Sequence, residues 1–107
     1  MNERDLKEMV ARSAEAAALL RALSNEHRLL ILCHLIAEDE LSVGALVDRI
    51  ALSQSALSQH LAKLRDEGLV SFRRESQTLY YRVADPRAGR LLELLKDIFC
   101  PDLGGAT

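Results

Sequence analysis

The chain of 107 residues has no tryptophan, two tyrosines, two phenylalanines, two prolines and two cysteines. Aromatics make up 4% of a chain that is 49% hydrophobic, so its core is expected to be aliphatic and mostly helical in character. No apolar run approaches the length of a membrane span, and Met1–Asp5 is too charged to begin a secretory signal. The expected location is the cytoplasm, with no membrane partner. In that reducing compartment two cysteines are free or switchable thiols rather than a permanent staple. The chain lacks a phosphate-cradling glycine loop and a CxxC redox pair. Ser58 and His60 stand two positions apart on one helix and point in different directions, with no aspartate placed to orient the imidazole. An enzyme is therefore not expected, and neither is a cofactor. Internal repeats, linkers and low-complexity segments are also missing. At this length a single domain, residues 1–107, can bury roughly two-thirds of its unfolded surface.

The net charge of −2 is an objection to a polyanionic partner, and its distribution answers part of it. Residues 1–52 carry six Lys/Arg against nine Asp/Glu, a net −3. Residues 53–82 carry five against three, a net +2, and residues 83–107 three against four, a net −1. Positive charge is concentrated in the middle of the chain.

That middle is where the sequence says most. Residues 52–70, LSQSALSQHLAKLRDEGLV, read as a helix with an apolar back, a polar front and a glycine stop. Ser53 can cap the free N–H groups at its start, Leu57, Leu61 and Leu64 form one buried stripe, and Gly68 supplies a left-handed C-cap. The opposite face carries Gln54, Ser55, Ser58, Gln59 and Lys63. These are short neutral hydrogen-bonding groups plus one cation, which suits base edges and phosphates in a DNA major groove. A purely solvated face would more often show Glu and Lys pairs one turn apart.

The flanks support this reading. Residues 4–23 form an Ala-rich helical pattern with Leu6, Met9, Val10, Ala17 and Leu20 as its apolar positions. It packs either on its own core or on a helix of a second subunit. Ser24 and Asn25 cap the next helix, about Glu26–Ala37, which is apolar nearly all round and so expected at the centre of the fold. Glu38-Asp39-Glu40 reads as a solvated acidic turn. A third helix begins at Leu41-Ser42, with Val43, Leu46, Val47 and Ile50 inward, and a tight turn leads into the polar-fronted helix. Two helices so joined, about residues 42–67, make a helix-turn-helix. Val70–Arg74 and Leu79–Val83 then alternate with period two around a turn at Glu75–Thr78, giving a basic hairpin, the wing, about residues 70–83. Its Arg73, Arg74 and Arg82 can reach phosphates or a minor groove. The same arginines can equally protect an edge strand. Pro86 starts a last helix, Arg87–Cys100, and Pro101 stops it. The tail Asp102–Thr107 is expected to fray.

The stretches ALSNEHRLLILCHL, ELSVGALVDRIALSQSALSQHLAKLRDEGLV and RRESQTLYYRV closely resemble, in that order and over roughly residues 18–100, the ArsR-type winged-helix repressors. The resemblance implies a mainly α fold with a β-hairpin wing. It also implies a homodimer, joined through terminal helices 4–23 and 87–100, and binding to an imperfect inverted repeat in double-stranded DNA with release on sensing an inducer. By position, Gln54, Ser55, Ser58, Gln59 and His60 fall on the recognition helix, and Arg73, Arg74 and Gln77 on the wing. Metalloid sensors of this type carry a Cys-x-Cys pair where this chain has Ser42-Val43-Gly44. Zinc and nickel sensors carry Asp and His ligands in a last helix that here contains no histidine. Cys33 and Cys100 look like the sulfide- and persulfide-responsive branch, in which a disulfide or polysulfide bridge between these positions weakens DNA binding. Reactive sulfur species are then the inducer. The rivals are a metal sensor using Cys33, His34 and Cys100, and an antirepressor or activator of the same fold.

Cys33 and Cys100 are 67 positions apart, so only the fold can bring them together. A plain disulfide needs Cα atoms about 4.4–6.8 Å apart, a limit that extra sulfur atoms in the bridge relax. Cys33 sits in an apolar helix, where a free cysteine commonly serves as a small core hydrophobe. Cys100 lies at a helix C-terminus, where the dipole disfavours a thiolate. A nearby cation is then needed; Arg28 and His34 are the candidates, although His34, adjacent to Cys33, points elsewhere on the helix.

Overall fold

The structure, a computed structural model, describes residues 1–101. The tail Asp102–Thr107 lies outside the described residues. In chain order the elements are α1 (Glu3–Leu23), α2 (Glu26–Glu38), β1 (Leu41–Ser42), α3 (Val43–Arg49), α4 (Gln54–Asp66), β2 (Val70–Glu75), β3 (Thr78–Val83) and α5 (Pro86–Phe99).

Local chemistry marks nearly every boundary. Asn2 and Asp5 close α1 with a reciprocal capping box, each side chain accepting from the other's backbone N–H. Asn25 accepts from the His27 and Arg28 amides at 2.9 and 3.1 Å to start α2. Ser42 and Ser53 cap α3 and α4 through the Ala45 and Ala56 amides, each at 3.1 Å. Asp85 caps α5, with Pro86 at its first position. Gly68 has φ +77°, the left-handed conformation expected at the end of α4. Its N–H reaches the Arg65 carbonyl and the Leu69 N–H that of Leu64, both at 2.9 Å, a Schellman closure that feeds the chain into β2.

One difference from the sequence reading lies at Leu41-Ser42. These residues do not open the third helix. They form a two-residue strand paired antiparallel with β3 (Leu41↔Tyr81, Ser42↔Tyr80), and α3 begins after them. The sheet order is β1-β3-β2, so the hairpin is joined at its root to the segment that leads into the helix-turn-helix. The hairpin itself runs in register from Val70↔Val83 to Glu75↔Thr78 around a two-residue loop, Ser76-Gln77, tighter than the four-residue turn expected. Ser76 takes φ +57° there, a left-handed conformation that costs a non-glycine residue roughly 1 kcal/mol.

The core gathers Ile31, Leu32 and Leu35 of α2, Leu46 of α3, Leu57, Leu61 and Leu64 of α4, and Leu69, all but wholly buried. It is aliphatic, as the composition required. Phe72 and Tyr81, with ring centroids 5.4 Å apart, close it on the sheet side. α2 is buried on one side only. Leu30 and Cys33 are exposed, so the apolar circumference of this helix serves two surfaces rather than one central position. α1 contributes only Ala22 and Leu23 to the core, while Leu6, Met9, Val10 and Leu20 are exposed. Among the described residues no helix is long and apolar enough to cross a membrane.

Candidate nucleic-acid interface and thiol pair

The stripe of Leu57, Leu61 and Leu64 locks α4 onto the core, and the helical period then dictates what faces outward. Gln54, Ser55, Ser58, Gln59 and Lys63 are all exposed. Gln54 and Ser58 share an open cleft of about 490 Å³ with Gln77, Thr78 and Leu79 of the wing and with Ser42-Val43-Gly44. Wing tip and helix front thus flank one concave surface. Arg65, near the end of α4, stacks 5.1 Å over the Phe72 ring and ties the helix to β2.

His60 does not join that exposed face. It is half-buried beside the leucine stripe and lies against His27 of α2, ring centroids 5.8 Å apart and planes tilted by 41°. Burial holds its pKa below the ordinary histidine value, and the charges of Arg28, His27 and Lys63 push in the same direction. The Nδ1 of His27 and the Nε of Arg28 are buried without a hydrogen-bond partner among the described residues. Arg28 instead donates from Nη1 to the Ala22 carbonyl at 3.3 Å.

On the wing, alternation divides the arginines. Arg73 lies on the outer face of the sheet, its guanidinium 4.5 Å over the Tyr80 ring. It donates from Nε and Nη2 to the two carboxylate oxygens of Glu40 at 2.9 and 2.8 Å, and from Nη1 to Glu75 at 2.7 Å. Glu40 is held below the ordinary carboxylate range first of all by this hydrogen bonding, and Arg73 is held charged. The acidic turn is therefore not simply solvated, because one of its carboxylates is committed to the wing. Arg74 and Arg82 are exposed and make no ion pair among the described residues. The sequence reading missed Glu40, Tyr80 and His27. Only Glu75, two positions from Arg73 on the same strand face, was signalled locally.

Cys33, on the outer side of α2, and Cys100, the residue that caps α5, are both free and exposed. Of the two readings of Cys33, a core hydrophobe or an accessible thiol, its exposure beside Leu30 favours the second. Although the residue is exposed, partial desolvation of its sulfur against the helix pushes the thiol above the ordinary range. Arg28 is occupied elsewhere, as described above. α2 and α5 pack against each other, which puts both thiols on one helix pair. Among the described residues no group of three or more His, Cys, Asp or Glu side chains could hold a metal ion. Outside these helices, α1 and α5 present a common apolar surface. A groove of about 390 Å³ is lined by Ala16, Leu19, Leu20, Leu91 and Leu94 with Arg87 and Arg90, and Ile98 and Phe99 further along α5 are also exposed.

Residues 25–71 match the pattern described as bacterial regulatory protein, arsR family. The chain is 51% identical over 96 residues to the transcriptional activator HlyU of Vibrio cholerae serotype O1, covering 90% of this chain and 88% of that protein. It is 42% identical over 100 residues to the biofilm growth-associated repressor of Agrobacterium fabrum, covering 94% and 85%. Reduced HlyU from Vibrio cholerae N16961 superposes with a TM-score of 0.80 at 51% identity, over 88% of this chain and 98% of that one.

Proposed function

The chain belongs to the ArsR family of winged-helix transcriptional regulators. From that membership we propose that it binds a palindromic operator as a homodimer and leaves it when Cys33 and Cys100 become bridged by reactive sulfur species. Each recognition helix, α4, enters a major groove with Gln54, Ser55, Ser58 and Gln59 toward base edges, and Lys63 and the wing lie along the backbone. Two-fold symmetry of the protein then mirrors the inverted repeat. The α1–α5 surface is the dimer contact. In its favour, Leu20 of α1 and Leu94, Ile98 and Phe99 of α5 are exposed apolar side chains.

The observation that carries the sensing half of this reading is the pair of free, exposed thiols on two helices packed against each other. The likeness to a protein studied in its reduced form points the same way. The chemistry balances without a cofactor. One cysteine thiolate attacks a polysulfide chain and releases hydrosulfide, leaving an extended persulfide. The other attacks that persulfide at the sulfur bearing the terminal SH and expels a second hydrosulfide. Both thiols are oxidised into a bridge that retains sulfane sulfur, and the polysulfide is reduced to hydrosulfide. Because a bridge joins α2 to α5, and α5 belongs to the dimer surface, it favours one arrangement of the two copies over another. That preference must differ between the DNA-competent and incompetent forms to shift binding.

The test is the intact mass of reduced protein after brief exposure to polysulfide, peroxide or zinc, with operator affinity measured in parallel. A bridge carrying extra sulfur, formed with polysulfide alone and accompanied by loss of DNA binding, is expected. A plain disulfide with peroxide at a similar rate makes the protein a general oxidant sensor, and unmodified thiols refute the sensing half outright.

A further inference from the structure

The outer face of the sheet holds an ion-pair cluster that neither the helix front nor the thiol pair uses. We propose that Glu40 and Arg73 form a positioning clamp that holds the wing to the end of α2, and that Arg74 rather than Arg73 is a phosphate-binding cation of the wing. The inference rests on the DNA-binding reading above.

Register and distance carry it. Arg73 of β2 stands opposite Tyr80 of β3, and Tyr80 stands opposite Ser42 of β1. The Arg73 side chain therefore crosses the middle strand over the Tyr80 ring, at 4.5 Å, and ends on the residue just before β1. One side chain laces all three strands. Its contact with Glu40 is a two-pronged fork at 2.8 and 2.9 Å, the geometry in which arginine and carboxylate hold direction as well as charge. The third arm is taken by Glu75 at 2.7 Å. Asp39, at φ +66°, turns the chain sharply out of α2 and delivers Glu40 to this face. A left-handed aspartate is held in place only where its surroundings hold it there.

The same contacts argue against a phosphate role for Arg73. Its donors are committed to two carboxylates, so a phosphate would have to displace both partners, and the Arg82 charge that also bears on Glu40 does not release them. Arg74 is one residue further on and points to the other face, shared with Phe72 and Leu79. Its cross-strand partner Leu79 lines the cleft between wing and α4, Phe72 on the same face carries Arg65 of α4, and Arg74 has no ion pair among the described residues.

The experiment measures operator affinity across a salt series for the full-length wild type, Arg73→Lys, Arg73→Gln, Glu40→Gln and Arg74→Gln, with amide exchange of the β2–β3 hairpin. A steep salt slope for the wild type is the separate check on DNA binding itself, and its absence sinks that reading before the clamp is in question. If the clamp holds, Arg73→Lys weakens binding about as much as Arg73→Gln, roughly five-fold, because a lysine keeps the charge and loses the fork. Both leave the salt slope unchanged, and they and Glu40→Gln speed exchange in the hairpin. Arg74→Gln lowers the slope by about one. The proposal is overturned if Arg73→Lys binds like wild type while Arg73→Gln lowers the slope by about one. It is equally overturned if hairpin exchange is unmoved by either Arg73 or Glu40 substitution.

Discussion

His60 of α4 lies 5.8 Å, centroid to centroid, from His27 of α2, with Arg28 beside both. The helix proposed to face DNA is thus seated on the helix that carries Cys33 through an imidazole, His60, whose pKa is lowered. The folded state lowers the His60 pKa, so between the ordinary histidine value of about 6.5 and the lowered one the unfolded chain binds more protons. Stability is fully present above that window and falls as the pH drops through it. Thermal melts from pH 7.5 down to 5 should show this loss, and His60→Gln should flatten the profile. An unchanged profile in the variant would remove His60 as its source.

The thiols can be separated from the DNA face. Cys33→Ser and Cys100→Ser alter exposed positions outside the leucine core, so each should bind operator within about two-fold of wild type, as expected for surface substitutions. Each should also keep that affinity after polysulfide treatment. A variant still released from DNA by sulfur would transfer the sensing role to another group.

Gly68 adopts φ +77°, and a Cβ there would meet no atom within 4 Å. Gly68→Ala therefore isolates backbone strain from crowding. It should cost about 1 kcal/mol, lowering the melting temperature by about 4–8 °C, with the secondary structure unchanged by circular dichroism. Full retention of stability would mean that the closure of α4 tolerates a side chain.

Leu20 and Leu94 line the groove between α1 and α5 and are exposed in the single chain. Leu20→Glu or Leu94→Glu should leave the fold intact and halve the mass seen by sedimentation equilibrium. Operator affinity should fall with it, because one half-site is then bound without the other. A variant that sediments as a dimer would place the contact elsewhere.

Lys63 and Gln59 separate positioning from reading. Lys63→Ala should weaken binding to all DNA sequences alike and reduce the salt slope by about one. Gln59→Ala should instead change the ranking among operator variants. Identical behaviour in a competition assay would show that the two side chains do not divide the work in this way.

What could be read from the sequence was local. Ser53, the Leu57–Leu61–Leu64 stripe and Gly68 fall within one helix, where spacing alone dictates burial and capping, and the structure places them as expected. The two-residue strand Leu41-Ser42 has no period to recognise, because its identity depends on Tyr80 and Tyr81, some forty positions away. The central place expected of α2 did not hold, because an apolar helix does not reveal how many surfaces it serves: Leu30 and Cys33 look outward while Leu32 and Leu35 look in. The pairing of Glu40 with Arg73 spans 33 positions and depends on the sheet order. His60 shares the chemistry of the polar front, but the helical period carries it round toward α2.

The short pairing of β1 with β3 has a mechanical meaning. Without it the hairpin would be a loose ribbon, free to swing about Leu69. With it, the wing root, the entry to α3 and the end of α2 move together, and Arg65 on Phe72 fixes α4 to the same block. In the proposed dimer each copy of the chain is then one stiff jaw of a pair of callipers. Stiff jaws cannot adapt one at a time to a wrongly spaced site, so discrimination among operators becomes a matter of phase along the duplex. A base-pair inserted between the two half-sites would be felt as strongly as a substitution within one.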